Sequence, residues 1–524
     1  MKKIIFTLIS FVSVVGLQAA SLPDNMYFRA MKDEMNRTMK EYRIKKGPKI
    51  FYMAYKLRNV KIVGVNADFG KSTPFFQNER LEAVALVDVG TYKNDGLGFT
   101  VDREEYATLL LDNISNNYDG IRQALWTLSD RQILDQLKRY EKKRAYKQQK
   151  QINQDEYYDF APVRPNSYVE ELKPFNPPSR EYLEKLAEKL SAKGEIYPFI
   201  ESFQVSVSIS SRDNFFLNSE GSFYQYNEPY VNISFAGKVR HEKGYVLSFS
   251  ESIGLVELTS EKEPVLEKKA ENFLQKLLVA HKAEVGESYL GPVLLKPEES
   301  AFFVYSALGL VNITPLLSNE YDRDYTASPL RDKLGMRVMS PYIEVYDRPF
   351  LREYKGSPLL FKPMDDEGVV SQDLLLISNG KLKNLPLSRR SGKRGKTNGH
   401  GYMLGKIYPR ERTSTLVLEP KEPLSEKELE EKMLERCREL KLEYGYIYHG
   451  SKLFERIYVE SGKRDFVIGL DMEYLRARSL LDILAGGDDS VASDWVVSPS
   501  LLVDEVELNS KEMIPERKPL IPRP

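Results

Sequence analysis

The stretch from Pro358 to Gly401 constrains the chain most, because it interleaves short apolar runs with turns and ends in a basic, glycine-rich loop. Val369–Val370 and Leu374–Ile377 flank Ser371, Gln372 and Asp373, the pattern of short strands bounded by polar residues. Ser378-Asn379-Gly380 predicts a hairpin turn, since Asn-Gly accepts the positive φ that a primed turn needs. Leu382, Leu385 and Leu387 supply the return strand. Ser388 to Gly401 then carries Arg389, Arg390, Lys393, Arg394, Lys396 and His400 among glycines. A loop of this length and composition, hung on a sheet, is more often functional than filler. Its cations suit a carboxylate or phosphate, with glycine amides assisting.

Upstream, helical and alternating patterns take turns. Met31, Met35, Met39 and Tyr42 recur at helical spacing. Ile50–Leu57, Val60–Phe69 and Leu81–Val89 read as strands of a meander. Residues 118–150 predict one long helix, with Ile121, Leu125, Leu128, Ile133 and Leu137 on its apolar side. Its basic end, Lys138 to Lys150, is expected to be a solvated face. Asn153–Pro178 reads as a linker or draped segment, and Ser179 as the cap of a short helix. From Glu201 the chain alternates (Phe203, Val205, Val207, Ile209), turns at Asn218-Ser219-Glu220-Gly221, and continues through Val231–Phe235 and Tyr245–Ser250. That is an antiparallel meander with one wet face. Pro264 opens a further helix, and Ser425 with Glu428 forms a capping box for residues 426–440.

Charge and targeting narrow the function classes. Lys+Arg and Asp+Glu both number 76, so no global field favours nucleic acid. Lys2 and Lys3, the apolar run Ile4–Leu17 and Gln18-Ala19-Ala20 read as a secretory signal over residues 1–20. The expectation is an exported, periplasmic bacterial protein with no membrane span after signal cleavage. Cys437 is the only cysteine, which excludes an intrachain disulfide and a cysteine-rich metal site.

Several motifs in order carry a resemblance. They are Leu290-Gly291-Pro292-Val293-Leu294-Leu295, Asp365-Asp366-Glu367-Gly368, Asn379-Gly380, Asn398-Gly399-His400-Gly401, Arg412-Thr413-Ser414-Thr415-Leu416 and Val497-Ser498-Pro499-Ser500-Leu501-Leu502. Further upstream, Ile121-Arg122-Gln123-Ala124-Leu125-Trp126 to Asp130 and the Asn218–Gly221 turn fit as well. Together they resemble the TldD/PmbA family, also called modulator of DNA gyrase, in an exported branch. The resemblance implies an α+β fold: an N-terminal α/β region with an antiparallel meander and long helices, then a β-rich C-terminal domain. The expected division is signal 1–20, N-terminal region 21–165, middle sheet and helix 166–285, C-terminal domain 286–510 and a loose tail 511–524.

Active members of that family are zinc peptidases, with a His-Glu-x-x-x-His helix that binds the metal and supplies a general base. The best match here is Phe303 to Leu310, which puts Tyr305 and Leu310 at the ligand positions and Ser306 at the base. Leucine has no lone pair, and a serine hydroxyl is no carboxylate base. The four histidines, His241, His281, His400 and His449, form no pair at i,i+3 or i,i+4. No zinc site of its own is therefore expected, and the resemblance makes the chain a non-catalytic subunit or pseudoenzyme. Its expected partners are extended peptide or unfolded protein and, as a homo- or heterodimer, a TldD-like chain. The expected substrate-binding residues are Arg389, Arg390, Lys393, Asn398 and His400, since the resemblance puts this loop near a peptide cleft. Two alternatives stand beside this reading: a peptidase with a site rebuilt from His400 and the Asp365–Glu367 turn, and a structural envelope protein.

Overall fold

The computed structural model describes residues 21–42, 47–96, 108–112, 117–149, 151, 158–308, 330, 333–390, 396–404, 407–472, 477–493 and 495–516. The predicted signal and the end of the proline-rich tail lie outside these residues.

Two 19-residue strands set the shape of the N-terminal half: β1 (Ile50–Asp68) and β3 (Ile200–Asn218). The two runs expected on either side of Arg58 and Asn59 form one unbroken strand, β1. It pairs antiparallel with β2 (Phe76–Thr91) on one side and with β3 on the other, so that Tyr55 lies opposite both Ala85 and Leu217. β3 turns at Asn218–Ser222 into β4 (Phe223–Arg240), which pairs with β5 (Val246–Leu255). Ser167–Val169, from the expected linker, joins β4 in parallel. The result is a nine-stranded sheet among the described residues. Residues 21–165 and 166–285, expected as separate regions, share this sheet because β1 and β3 are hydrogen-bonded neighbours.

Strand periodicity then decides what lies on each face. Met53, Tyr55 and Leu57 pack with Ala83, Ala85 and Val87 against α1 (Met26–Glu41) and α2 (Tyr118–Gln149). Farther along the same face, Val63, Val65 and Ala67 lie under α3 (Arg180–Ala192) and α4 (Glu263–Lys282). The alternate residues Tyr52, Ala54, Leu86, Phe216, Tyr224 and Tyr226 face the other way and meet Phe361, Met364 and Tyr408. Around these residues that second face is dry, not wet, because the C-terminal domain covers it.

The C-terminal domain holds two sheets. In one, β6 (Tyr289–Leu295) runs between β10 (Tyr444–Tyr448) and β13 (Leu501–Ser510). In the other, β7 (Ile343–Asp347) runs between β8 (Leu374–Ser378) and β9 (Leu416–Pro420), and β12 (Val496–Ser498) extends it. Their shared core includes Val293, Leu295, Val345, Leu376, Leu418 and Val503, with Ala301, Val304 and Leu308 of α5 (Pro297–Leu308). α6 (Glu426–Glu439), capped by Ser425 and Glu428 as predicted, seals the outer face with Leu429, Met433 and the buried Cys437. β11 (Phe454–Tyr458) continues the first sheet beside β10. The predicted hairpin is present: Asn379 and Gly380 have φ of +51° and +71°, the signature of a primed turn. No described helix is long and apolar enough to cross a membrane.

Leu57 is fully buried beneath the helices. Leu57→Ala should cost about 2–5 kcal/mol, read as a lowered midpoint in urea unfolding at unchanged slope. A shift inside about 0.5 kcal/mol, the range of surface substitutions, would show that this face is not tightly packed.

Candidate functional site at the domain junction

The Asp365-Asp366-Glu367 turn sits where the C-terminal domain meets the sheet, and all three side chains are buried. Asp365 folds back on its own turn: Oδ1 accepts from the amides of Glu367 (3.0 Å) and Val369 (2.9 Å), and Oδ2 from Gly401 (3.0 Å). Asp366 points into the sheet. Its Oδ1 accepts from Lys56 Nζ of β1 and from the Tyr224 hydroxyl of β4 (2.9 Å), and its Oδ2 from the Met403 amide (2.8 Å). Glu367 Oε2 accepts from the Arg389 amide at 2.6 Å. Gly368 has φ +85°, and a Cβ there would lie 2.7 Å from Asn218 Nδ2, so the turn fits only against the β3–β4 turn without a side chain.

Burial alone would raise the Asp366 carboxyl, but Lys56, Lys362 and its hydrogen bonds hold it below its ordinary value. Burial lowers Lys56 to about 8 against the pull of Asp366. Asp365 is pushed up to about 6, chiefly by burial and despite three amide donors. Glu367 lies well above the carboxylate range because it is buried and faces Asp365, which outweighs Arg390 and Arg389.

The basic loop serves the protein itself. The Arg389 guanidinium, 1% exposed as a residue, forks onto Glu220 at 2.5 and 2.7 Å, donates from Nε to Ala161 O (2.7 Å) and stacks 3.8 Å over Phe160. Arg390 donates to Asp95 (2.7 Å) and Asp88 (2.6 Å). The basic end of α2 enters the same cluster. Lys143 reaches Asp95 (2.9 Å) and Asp159 (2.8 Å), and Lys147 reaches Asp159 (2.8 Å). Both lysines are buried, whereas Lys138, Lys142 and Arg144 on the same run are exposed, so the charge run is a solvated face with two of its lysines turned inward. Burial requires a partner for every charge, and the acids of β2 and of the 159 region provide them.

The other predicted ligand residues are placed differently. Asn398 receives the Leu387 amide (2.8 Å) and donates to Leu385 O (2.9 Å), which closes the loop on its own backbone. His400 is buried, with Nε2 3.2 Å from Asp347 Oδ2 and Nδ1 2.9 Å from Asn398 O. Its imidazole pairs with Asp347 of β7 rather than with the Asp365–Glu367 turn, so the rebuilt hydrolytic site is not assembled. Lys393 lies outside the described residues, while Lys396 is exposed. Lys56, Asp88, Asp95, Glu220 and Tyr224 were absent from the sequence expectation. For Lys56 and Asp88 the signal was a charged residue inside an apolar strand, as in Ala54-Tyr55-Lys56-Leu57; Asp95, Glu220 and Tyr224 had no such signal.

Residues 290–510 match the family model described as the PmbA/TldA metallopeptidase C-terminal domain. Metalloprotease MJ0996 of Methanocaldococcus jannaschii is 30% identical over 226 residues, which is 42% of this chain and 47% of that protein. The chain thus aligns to about half the length of that relative. Solved structures share the fold across nearly the whole chain. TldE of Thermococcus kodakarensis gives a TM-score of 0.61 at 14% identity, covering 92% of this chain and 100% of that one. A Thermotoga maritima protein named as a candidate modulator of a DNA gyrase gives 0.61 at 16% identity, with 92% and 100% covered. Residues 290–510 thus carry the PmbA/TldA metallopeptidase C-terminal domain, and the fold of the chain is shared with TldE and the candidate gyrase modulator.

The helix that the sequence resemblance matches to the zinc helix of active members is α5. Tyr305 is half-buried against the domain core, its ring 5.5 Å from that of Trp495, and Ser306 is exposed. Leu310 lies outside the described residues. Neither described position offers a zinc donor of the family's kind, and no group of three His, Cys, Asp or Glu among the described residues is arranged to hold a metal. These residues do not fit the family's zinc.

Replacing Arg389 by Ala should cost about 3–5 kcal/mol by leaving Glu220 buried without its fork, whereas Arg389→Lys, which keeps one charge contact, should cost less. Chemical denaturation of both variants checks this; equal losses would mean that the fork geometry does not matter.

Proposed function

We propose that this protein is an exported member of the TldD/PmbA family that binds extended or unfolded peptide without a zinc site of its own, as the non-catalytic partner of a TldD-like chain or as a pseudoenzyme. The observation that carries the reading is the makeup of α5. Where an active member needs two imidazoles and a carboxylate, this helix has Tyr305 turned to the core and to Trp495, and Ser306 in solvent. Phe302, 63% exposed on the same helix, and Trp495 give this end of the domain an aromatic surface suited to peptide side chains. The whole family scaffold is retained around it, which favours a binding role over a scaffold without a ligand. The predicted signal at residues 1–20 supports export.

The mature chain, purified with zinc present throughout, should contain far less than one zinc per chain by elemental mass spectrometry. It should leave an unfolded polypeptide uncut while retaining it in a pull-down, and Phe302→Ser should weaken that retention. Stoichiometric zinc accompanied by hydrolysis would overturn the reading.

A further inference from the structure

Asp88 and Glu367 meet at a small cavity that no role described above explains. Tyr52, Leu86, Phe160, Arg390, Tyr408 and Pro409 complete its wall. Its free space, about 10 Å³, suits about one water. Both carboxyls are almost fully buried, and each keeps one oxygen, Asp88 Oδ1 and Glu367 Oε1, with no hydrogen-bond donor. Arg390 is the nearest cation. Its Nη groups are engaged by Asp88 Oδ2 and Asp95, and its Nε lies 3.8 Å from Glu367 Oε1, beyond a hydrogen bond.

The charges packed around the pair do not balance. Lys56 of β1 is matched by Asp366, with Lys362 beyond it, and Arg389 by Glu220 of the β3–β4 turn. Lys143 and Lys147 of α2 serve Asp159 and, through Lys143, Asp95. Arg390 is then left to answer Asp88, the second oxygen of Asp95, and Glu367, while Asp365 beside them is held by amides alone. Among the described side chains, carboxyls exceed cations in a dry space, a condition relieved by taking up protons.

We infer that the junction is a proton-dependent latch: protons held on Asp88 and Glu367 at this cavity keep the C-terminal domain seated on the sheet, and their loss as pH rises unseats it. The perturbed acidities agree. Burial raises Asp88 to about 7 against Arg390, with Asp95 adding to the rise, and burial with Asp365 raises Glu367 well above its ordinary range. A carboxyl raised in the folded state contributes stability that is full below its ordinary range and is lost as pH climbs through its folded value. For Asp88 the window therefore runs from its ordinary value near 4 up to about 7, and Glu367 changes stability in the same direction. Above that, Lys56, lowered to about 8, works in the opposite sense. Asp365, pushed up to about 6, and Glu299 on α5, raised to about 7 chiefly by burial, carry the same sign as the pair. A change with pH in the wild type alone thus does not identify the latch.

The test is hydrogen–deuterium exchange of the full mature chain at pH 6 and pH 8, corrected for intrinsic exchange and compared with Asp88→Asn and Glu367→Gln. Protection of the β1 amides Met53–Lys56 should fall about tenfold or more in the wild type and by much less in the variants, since each pKa unit is worth about tenfold. An unchanged wild type, or the same fall in all three proteins, overturns the latch. Should neither variant fold, infrared spectra of the wild type decide. Protonated-carboxyl C=O intensity present at pH 6 and bleached by pH 8 supports the latch, and its absence at pH 6 overturns it.

Discussion

The structure depends on one electrostatic requirement: charges removed from water must find partners, and here the partners lie on different domains. Lys56 projects from the middle of an apolar strand and donates to Asp366, whose same oxygen also accepts from the Tyr224 hydroxyl. Asp366 projects from a C-terminal turn and answers both. Neither surface could remain buried without the other, because an unpaired charge in a low-dielectric interior costs several kcal/mol. The junction is thus more than apolar contact between two finished domains. Each domain completes the other's hydrogen bonding.

Arg389 extends the same logic. Its fork on Glu220 and its stacking on Phe160 join the basic loop to the β3–β4 turn and to the segment that follows α2. Arg390, Asp88, Asp95 and Lys143 carry the connection on to the long helix. A loop that looks like a ligand cradle when laid out as a string of cations becomes, in three dimensions, a tie between elements distant in sequence. His400 follows suit by locking the Asn398–Gly401 turn to Asp347 of β7. The exposed aromatic side chains Phe302 and Trp495 lie elsewhere, at the end of the C-terminal domain around α5.

This division separates the tie between the domains from what α5 presents. The buried ionic network at the junction is built from Lys56, Asp366, Glu220 and Arg389, whereas Tyr305 of α5 packs on the C-terminal core and on Trp495. A change of side chain at Tyr305 or Ser306 therefore leaves those junction ion pairs in place.

The sequence by itself determined the elements whose signal is local. The Asn379-Gly380 turn, the Ser425–Glu428 capping box and the span of α2 follow from turn chemistry, capping and periodicity within a few residues. The family motifs likewise carried the α+β class and the β-rich C-terminal domain. Tertiary structure alone decided that β1 and β3 lie side by side, since strand pairing across more than a hundred residues leaves no mark on either strand. It also decided that the sheet is dry on both faces around Tyr52, Phe216 and Tyr224, while toward Gln204 and Lys238 the second face stays wet as its alternation predicts. The same holds for the charges: Lys143, Arg389 and His400 look like surface groups in sequence, where solvent is the default partner. Only the fold brings Asp95, Glu220 and Asp347 to them, and burial then turns Lys143 and Arg389 from ligands for something else into structural ties.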